Sequence, residues 1–549
     1  MKVATQIIVT CVLMSLSLCG HAQSLHIDRT RFIGSDTSTA LEIESVISTK
    51  DNGLLFVGYT NSNGGGDIPT NPKDAFGDDL NVVVGKLNSN LQIQWIKVYG
   101  GNHEDLGMNA CQAADSGFAV VGITFSDDRD VSGNHGYVNG TQDIWLIRLD
   151  KNGNLMWQQC FGSSNSDEAR SVALAPDSGF VLLGTTNGAD GDVPFHYGDY
   201  FSFDWLVVKT DQYGNKQWAK VYGGTKNEGT TGAIIAADSG YYLASYSAST
   251  DYDCFDTSWH KANLDTKGDA FLIKIDTAGN KLWMKSYGSS SGELINTAMW
   301  DERDSSILMI GSTTGNDYML HGALGSGDMW LVKTDRSGKL LWNSCLGDVS
   351  FDQGFGVVKA TNNGYMVEGS SFPNSTGVKL PGYIGLQDNW VVLTDSMGTQ
   401  IAKDLFGGTA YERPMGVVAN SNEYVAYGSS SSIVFTEGGN SGRYPHATND
   451  DGFFSIVQIW PSAVNNVNQN NDELIIYPNP SKGEVRIEIP AKAGKLEIID
   501  IGGHTIVSRQ LKGQEGSLWL DTRSWSKGSY VVKWQGRDGE QLSRRLINN

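Results

Sequence analysis

Residues 143–157 read Asp143-Ile-Trp-Leu-Ile-Arg-Leu-Asp-Lys-Asn-Gly-Asn-Leu-Met-Trp157, and residues 204–218 read Asp204-Trp-Leu-Val-Val-Lys-Thr-Asp-Gln-Tyr-Gly-Asn-Lys-Gln-Trp218. An apolar run, an Asp-x-x-Gly-Asn turn and a second run ending in Trp describe a tight hairpin, with Gly supplying the positive φ. Further copies begin at Asn81, Asp269, Asp328, Asp388 and Asp451, at spacings of 62, 61, 65, 59, 60 and 63 residues. Each unit also carries an aromatic–Gly turn such as Tyr99-Gly100-Gly101 and a Gly-bounded apolar run such as Gly179-Phe-Val-Leu-Leu-Gly184. No unit sustains a 3.6-residue period. Four antiparallel strands per unit, repeated in series, make an all-β protein whose natural closure is a β-propeller.

The phase of the repeat counts the blades. Segments for the two strands before the hairpin occur seven times, and so does the hairpin's first strand, but its second strand occurs only six times. A spare strand lies at the N-terminus, Leu25-His-Ile-Asp-Arg-Thr-Arg-Phe-Ile-Gly34. The reading is a seven-bladed propeller over 23–460, with the N-terminal strand completing the last blade and removing a free edge. Six blades plus an independent hairpin is the competing count.

Composition agrees. Gly makes up 66 of 549 residues against only 12 Pro, which fits frequent tight turns rather than collagen or a Pro-rich linker. With 41 basic and 61 acidic residues the net charge is −20, which argues against nucleic acid as a partner. Lys2, the apolar stretch Ile7–Leu18 and Gly20-His21-Ala22 describe a secretory signal peptide, cut after Ala22. No later run is long enough to span a membrane, so the mature chain is expected to have no transmembrane segment. Cleavage leaves Cys111, Cys160, Cys254 and Cys345, too few for a disulfide framework, and no CxxC or HExxH cluster exists.

These repeats, with their Asp-x-Trp, Gly-Asn-x-x-Trp and Tyr-Gly-Gly phrasing, resemble the β-propeller repeat of secreted bacterial proteins over about residues 25–460. Residues 461–472 are polar and read as a linker. From 473 to 549 seven short strand candidates suggest a small Ig-like β-sandwich. Tyr477-Pro478-Asn479-Pro480-Ser-Lys-Gly483 and Gly528-Ser-Tyr530 give this tail its phrasing. It resembles the type A C-terminal sorting domain of the type IX secretion system. The resemblance implies recognition by the type IX translocon, removal by a sortase-like peptidase, and delivery through the periplasm to the cell surface or the exterior.

Residues repeated from unit to unit read as architecture. Lys86, Arg148, Lys209, Lys274 and Lys333 share one position, the turn residues Asp150, Asp211, Asp276, Asp335 and Asp395 another, and Trp95, Trp157, Trp218, Trp283 and Trp342 a third. Long loops and Tyr-Gly-Gly turns fall on one face, where function is expected. A carboxylate follows each Gly turn: Glu104 or Asp105, Asp167 or Glu168, Glu228, Glu293, Asp352 and Glu412. They can form an acidic ring for a cation or cap turn N–H groups, and the repetition favours caps. Asp190 and Asp192, with Glu228 and Glu293, are the candidate Ca²⁺ ligands, although ordinary Asp/Gly turns account for the Asp runs equally well. Two successive loops are rich in aromatics: Phe195, His196, Tyr197, Tyr200 and Phe201 in one, Tyr252, Phe255 and Trp259 in the next. Exposed aromatics beside carboxylates suit sugar stacking or a protein contact, and packing into a local mini-core is the plainer alternative. No Gly-x-Ser-x-Gly elbow or His–nucleophile spacing is present, so no catalytic residue is assigned. The expected function is a non-catalytic glycan- or protein-binding module. A secreted carbohydrate-active enzyme and a structural surface component are the other readings.

Overall fold

A computed structural model describes residues 23–34, 40–62, 64–69, 79–229, 231–255, 268–323, 326–348, 350–372, 386–420, 423–431, 434–437, 440–443, 451–461, 475–477, 483–488, 493–500, 504–512, 517–536 and 541–548. The expected signal peptide, Trp259, most of the expected linker, and Pro478, Asn479 and Pro480 lie outside them. The chain divides into two compact units, Gln23–Trp460 and a second containing Pro461–Asn549.

In the first unit the strands form antiparallel four-stranded sheets, taken largely in chain order. Leu41–Ser48, Leu54–Thr60, Asn81–Leu87 and Ile93–Tyr99 make the first sheet. Asp105–Gln112, Phe118–Thr124, Asp143–Leu149 and Leu155–Phe161 make the second, and Asp167–Leu174, Phe180–Thr186, Asp204–Thr210 and Lys216–Tyr222 the third. The next three sheets open with Ala233–Ala237, Glu293–Asp301 and Phe351–Lys359, and the last of these three gains two short strands, Val434–Glu437 and Asn440–Arg443. The final sheet joins both ends of the unit. Glu412–Asn420, Glu423–Ser430 and Asp451–Pro461 are followed by Gln23–Ile33 as the outer strand. The Thr30 and Ser455 hydroxyls meet at 2.7 Å within it. This sheet packs on the first: the Ile43 N–H donates to Ser429 Oγ at 3.1 Å, and Leu41, Phe56, Tyr427 and Phe454 share one core cluster. The array therefore closes on itself in propeller fashion.

The repeated residues explain the closure. The middle strands Phe118–Thr124 and Asp143–Leu149 are buried throughout, because neighbouring sheets cover both faces. The core lies between sheets, as where Val121 and Ile144 pack with Phe180 and Leu206. Gly153 turns with φ 76°, and a Cβ there would lie 2.8 Å from the Trp95 ring of the preceding sheet. Gly214 and Trp157 repeat this contact one sheet on. At five successive boundaries the hairpin Trp of one sheet (Trp95, Trp157, Trp218, Trp283 and Trp342) thus seats the turn Gly of the next, where an added Cβ would meet the ring. Asp150 and Asp211 accept turn N–H groups, including Asn152 N and Tyr213 N at 2.8 Å. The buried Lys209 ammonium meets Asp177 at 2.8 Å, and Lys86 meets Asp51 at 3.0 Å.

In the second unit Ile475–Tyr477, Glu484–Glu488 and Ser517–Asp521 form one sheet. Thr505–Lys512, Ala493–Asp500, Gly528–Gly536 and Gln541–Asn548 form another. Val485, Ile487, Leu496, Val532, Trp534 and Leu546 belong to one core cluster that both sheets share. Tyr477 ends the first strand, Gly483 holds φ 128° before the second, and Gly528 opens the Gly528–Gly536 strand. The buried Tyr530 donates to Ser526 O at 2.7 Å and packs against Trp525 at 5.1 Å.

Candidate functional site

The carboxylates after the Gly turns are buried and serve their own turns. Glu293 accepts from Ser289 N at 2.9 Å, Ser289 Oγ at 2.6 Å and Thr313 Oγ1 at 2.8 Å. Asp105 accepts from Gly101 N at 2.7 Å, and Glu228 from Ser247 Oγ at 2.8 Å. Facing them across each sheet boundary stands the first residue of the hairpin strand, so Asp143 meets Asp167, Asp204 meets Glu228 and Asp269 meets Glu293. A Cβ on Gly162 would touch both Asp143 Oδ1 and Asp167 Oδ2 at 2.7 Å. Burial pushes the Asp167 carboxyl up to about 7 and that of Asp269 up to about 8. Burial, reinforced by Glu228, pushes Asp204 up to about 9. Two carboxyls in such a site retain a proton between them. At the first boundary Asn81, the neutral shape of a protonated Asp, stands opposite Asp105.

Asp190 accepts from Ser164 N and Ser164 Oγ, both at 2.7 Å, and Asp192 pairs with Lys216. Asp128, Asp251 and Asp317 make the same loop-tying bond to Asn102, Thr225 and Ser290. Asp190, Asp192, Glu228 and Glu293 are therefore spread over successive boundaries rather than brought together. Among the described residues no three His, Cys, Asp or Glu gather as metal ligands.

The two aromatic loops do meet. Tyr197 lies 4.7 Å from Tyr252, ring centre to ring centre, and 5.0 Å from Phe195. Its hydroxyl donates to Asp253 at 3.2 Å, and its N–H to Asp204 at 2.6 Å. His196 is inward, with Nε2 2.9 Å from Ser202 O. Around this half-buried ring four others stay exposed: Tyr200 59%, Phe201 81%, Tyr252 63% and Phe255 69%. Tyr252 holds a left-handed φ of 46°, a costly backbone for a bulky residue. Tyr197 thus joins the two loops, and the other four rings stay exposed on them.

A second feature escaped the sequence reading. The first strands line a central cavity of about 430 Å³. Six of them carry a one-residue bulge, and the unpaired residues are Glu44, Met108, Arg170, Asn296, Phe355 and Met415. All six line the cavity, and no two adjacent sheets contribute the same residue. Glu44 and Arg170 are the charged groups in its lining, and further charges stand close by. Arg170 meets Glu168 at 3.1 Å, Arg413 meets Glu42 at 3.1 Å, and the Tyr59 hydroxyl donates to Glu42 at 2.8 Å. Burial pushes the Glu44 carboxyl up to about 7, with Arg170 opposing the rise and Glu42 adding to it. The available signal was the one strand position at which an otherwise regular repeat changes chemistry from unit to unit.

Residues 475–549 match the family described as the secretion system C-terminal sorting domain. This segment is a type IX sorting domain. The protein that carries the sorting domain is exported by type IX secretion to the cell surface or extracellular space. No curated protein matches the chain. Solved structures that resemble it include a protein of unknown function from Dyadobacter fermentans, at 10% identity and TM-score 0.38, covering 80% of this chain and 100% of that one. The Neurospora crassa Pan2 WD40 domain is similar at 8% identity and TM-score 0.39, covering 78% of this chain and 97% of that one. A luciferin-regenerating enzyme is similar at 7% identity and TM-score 0.31, with 79% and 95% covered.

Proposed function

We propose that the cargo ahead of the sorting domain is a seven-bladed propeller that acts at the cell surface as a non-catalytic binding module for glycans. In this reading residues 1–22 are a cleaved signal peptide, the tail is an Ig-like sandwich, and the translocon and a sortase-like peptidase are its partners. The observation that carries the binding role is the patch of Tyr200, Phe201, Tyr252 and Phe255, four rings left in water on two adjacent loops. Such rings are unfavourable in water and stack well on the apolar faces of sugars. The carboxylates Asp105, Asp167, Glu228 and Glu293 are buried and engaged by their own turns, which leaves the exposed rings as the outward chemistry of these loops.

The test is a glycan array and a turnover screen on the mature chain, with Ca²⁺ or with chelator. Binding of oligosaccharides without product, weakened in Phe201→Ala/Tyr252→Ala while the unfolding temperature holds, is the expected result. Product formation overturns the non-catalytic reading. Retention of a protein ligand but of no glycan replaces the ligand class.

A further inference from the structure

Beyond the patch, the central cavity has the chemistry of a second site. Its bulge residues share one backbone environment, so backbone geometry does not dictate which side chain stands there. Elsewhere equivalent positions repeat one chemistry, as the Lys/Arg, Asp and Trp sets do. Here they alternate between acid, base, amide and apolar groups. Glu44 and Arg170 flank Met108 from the sheets on either side of it. They are close enough to influence each other electrostatically, yet among the described residues no ion pair joins them. Arg170 Nη2 donates to Glu168, while Arg170 Nε has no hydrogen-bond partner among the described residues. A buried donor left unpaired is unfavourable and calls for an acceptor.

We infer that the central cavity binds a neutral vicinal diol, of the kind a single pyranose ring presents, with one hydroxyl accepting from Arg170 and its neighbour donating to Glu44. The surrounding charges select this class. A carboxylate ligand would meet Arg170 but also Glu44, with Glu42 close by, while an ammonium ligand would meet Arg170, with Arg413 close by. A hydroxyl both donates and accepts, so a diol satisfies the acid and the guanidinium together without bringing charge of its own. Met108, Phe355 and Met415 offer apolar surface to the C–H face of a ring. The volume falls in the range of roughly 300–1,000 Å³ usual for small-ligand sites. The groups facing Glu44 that set its protonation are Glu42, Tyr59, Tyr427, Arg170 and Arg413.

The experiment is titration of the mature chain with methyl pyranosides, followed by ligand-observed NMR, in the wild type, Glu44→Gln, Arg170→Met, Arg170→Lys and the patch variant Phe201→Ala/Tyr252→Ala. Binding should persist in the patch variant and weaken about tenfold or more in both Arg170 variants, as loss of a hydrogen bond to a charged group predicts. Wild-type affinity should change between pH 6 and 8, about one unit either side of the Glu44 midpoint near 7, and that change should vanish in Glu44→Gln. Arg170→Lys guards against a folding defect in Arg170→Met, because it keeps a charge and a stem while losing the Nε–H. The inference is overturned if no pyranoside binds, if acetate or ethylammonium competes better than the sugars, or if a folded Arg170 variant binds as the wild type does. Loss of binding in the patch variant alone would also overturn it, by assigning the sugar to the surface patch.

Discussion

Replacing Asp204 by Asn should stabilise the ring at neutral and alkaline pH. Asp204 is wholly buried, faces Glu228, and keeps its proton up to about 9 when folded, whereas the free side chain releases it near 3.8. The folded state therefore binds a proton that the unfolded state gives up, and stability falls as pH rises from about 4 toward 9. Holding that proton at pH 7 costs up to about 4 kcal/mol, at about 1.4 kcal/mol for each pH unit between the free value and 7. Asn keeps the shape and offers an N–H to Glu228 without the penalty, and Asn81 already stands at the equivalent position opposite Asp105. The variant should gain roughly 2–4 kcal/mol at pH 7.5, which for a unit of this length is about 1 °C in unfolding temperature per kcal/mol. It should gain little at pH 4. The assay is thermal unfolding of the mature chain followed by Trp fluorescence from pH 4 to 8.5. Equal pH profiles for both proteins, or a variant less stable than the wild type at pH 8, would refute the shared-proton account.

Gly153→Ala should destabilise by about 1–2 kcal/mol or more, because φ is positive there and the new methyl meets the Trp95 ring; urea unfolding with Trp emission reads both effects. Deleting Gln23–Ile33 removes the buried Leu25, Ile27 and Ile33, about 5 kcal/mol of burial, and bares the edge of Asp451–Pro461, so light scattering should show self-association. Lys209→Ala strands the contacts of a buried ammonium and should cost about 1–3 kcal/mol, whereas Asp177→Ala, on the exposed side of the pair, should cost less. Phe201→Ser should leave stability within about 0.5 kcal/mol, since the ring is 81% exposed.

Much of the architecture was legible because each unit spells out its own turns. Asp150, Gly153 and Trp157 are local signals with local causes, so their spacing carried the strand pattern and the place of the repeated Asp residues in the turns, while the partners of the repeated Lys residues came from the structure. The tail strands were legible for the same reason. What sequence could not carry was contact between units. That Asp143 of one sheet faces Asp167 of the next depends on how sheets pack, and both had been read only as separate repeats. The meeting of Tyr197 and Tyr252 needed two loops to converge, and Tyr200 and Phe201 were separable from Tyr197 only by their exposure. The cavity residues were hidden by the bulge, which adds one residue to a strand without altering its composition. Repetition marks architecture at Trp95 and Lys209, whereas Glu44 and Arg170 occupy a repeated position with unlike chemistry.

The outer strand Gln23–Ile33 and its partner Asp451–Pro461 are separated by nearly the whole length of the ring. The edge that most needs covering is thus satisfied by the segment made earliest, and only once the segment just ahead of the tail has arrived. A chain broken off anywhere before Trp460 cannot complete this pairing, and it also lacks the export address that follows. Completeness of the fold and eligibility for delivery are consequently tested by the same final stretch of polypeptide, so a shortened product is both sticky and unaddressed.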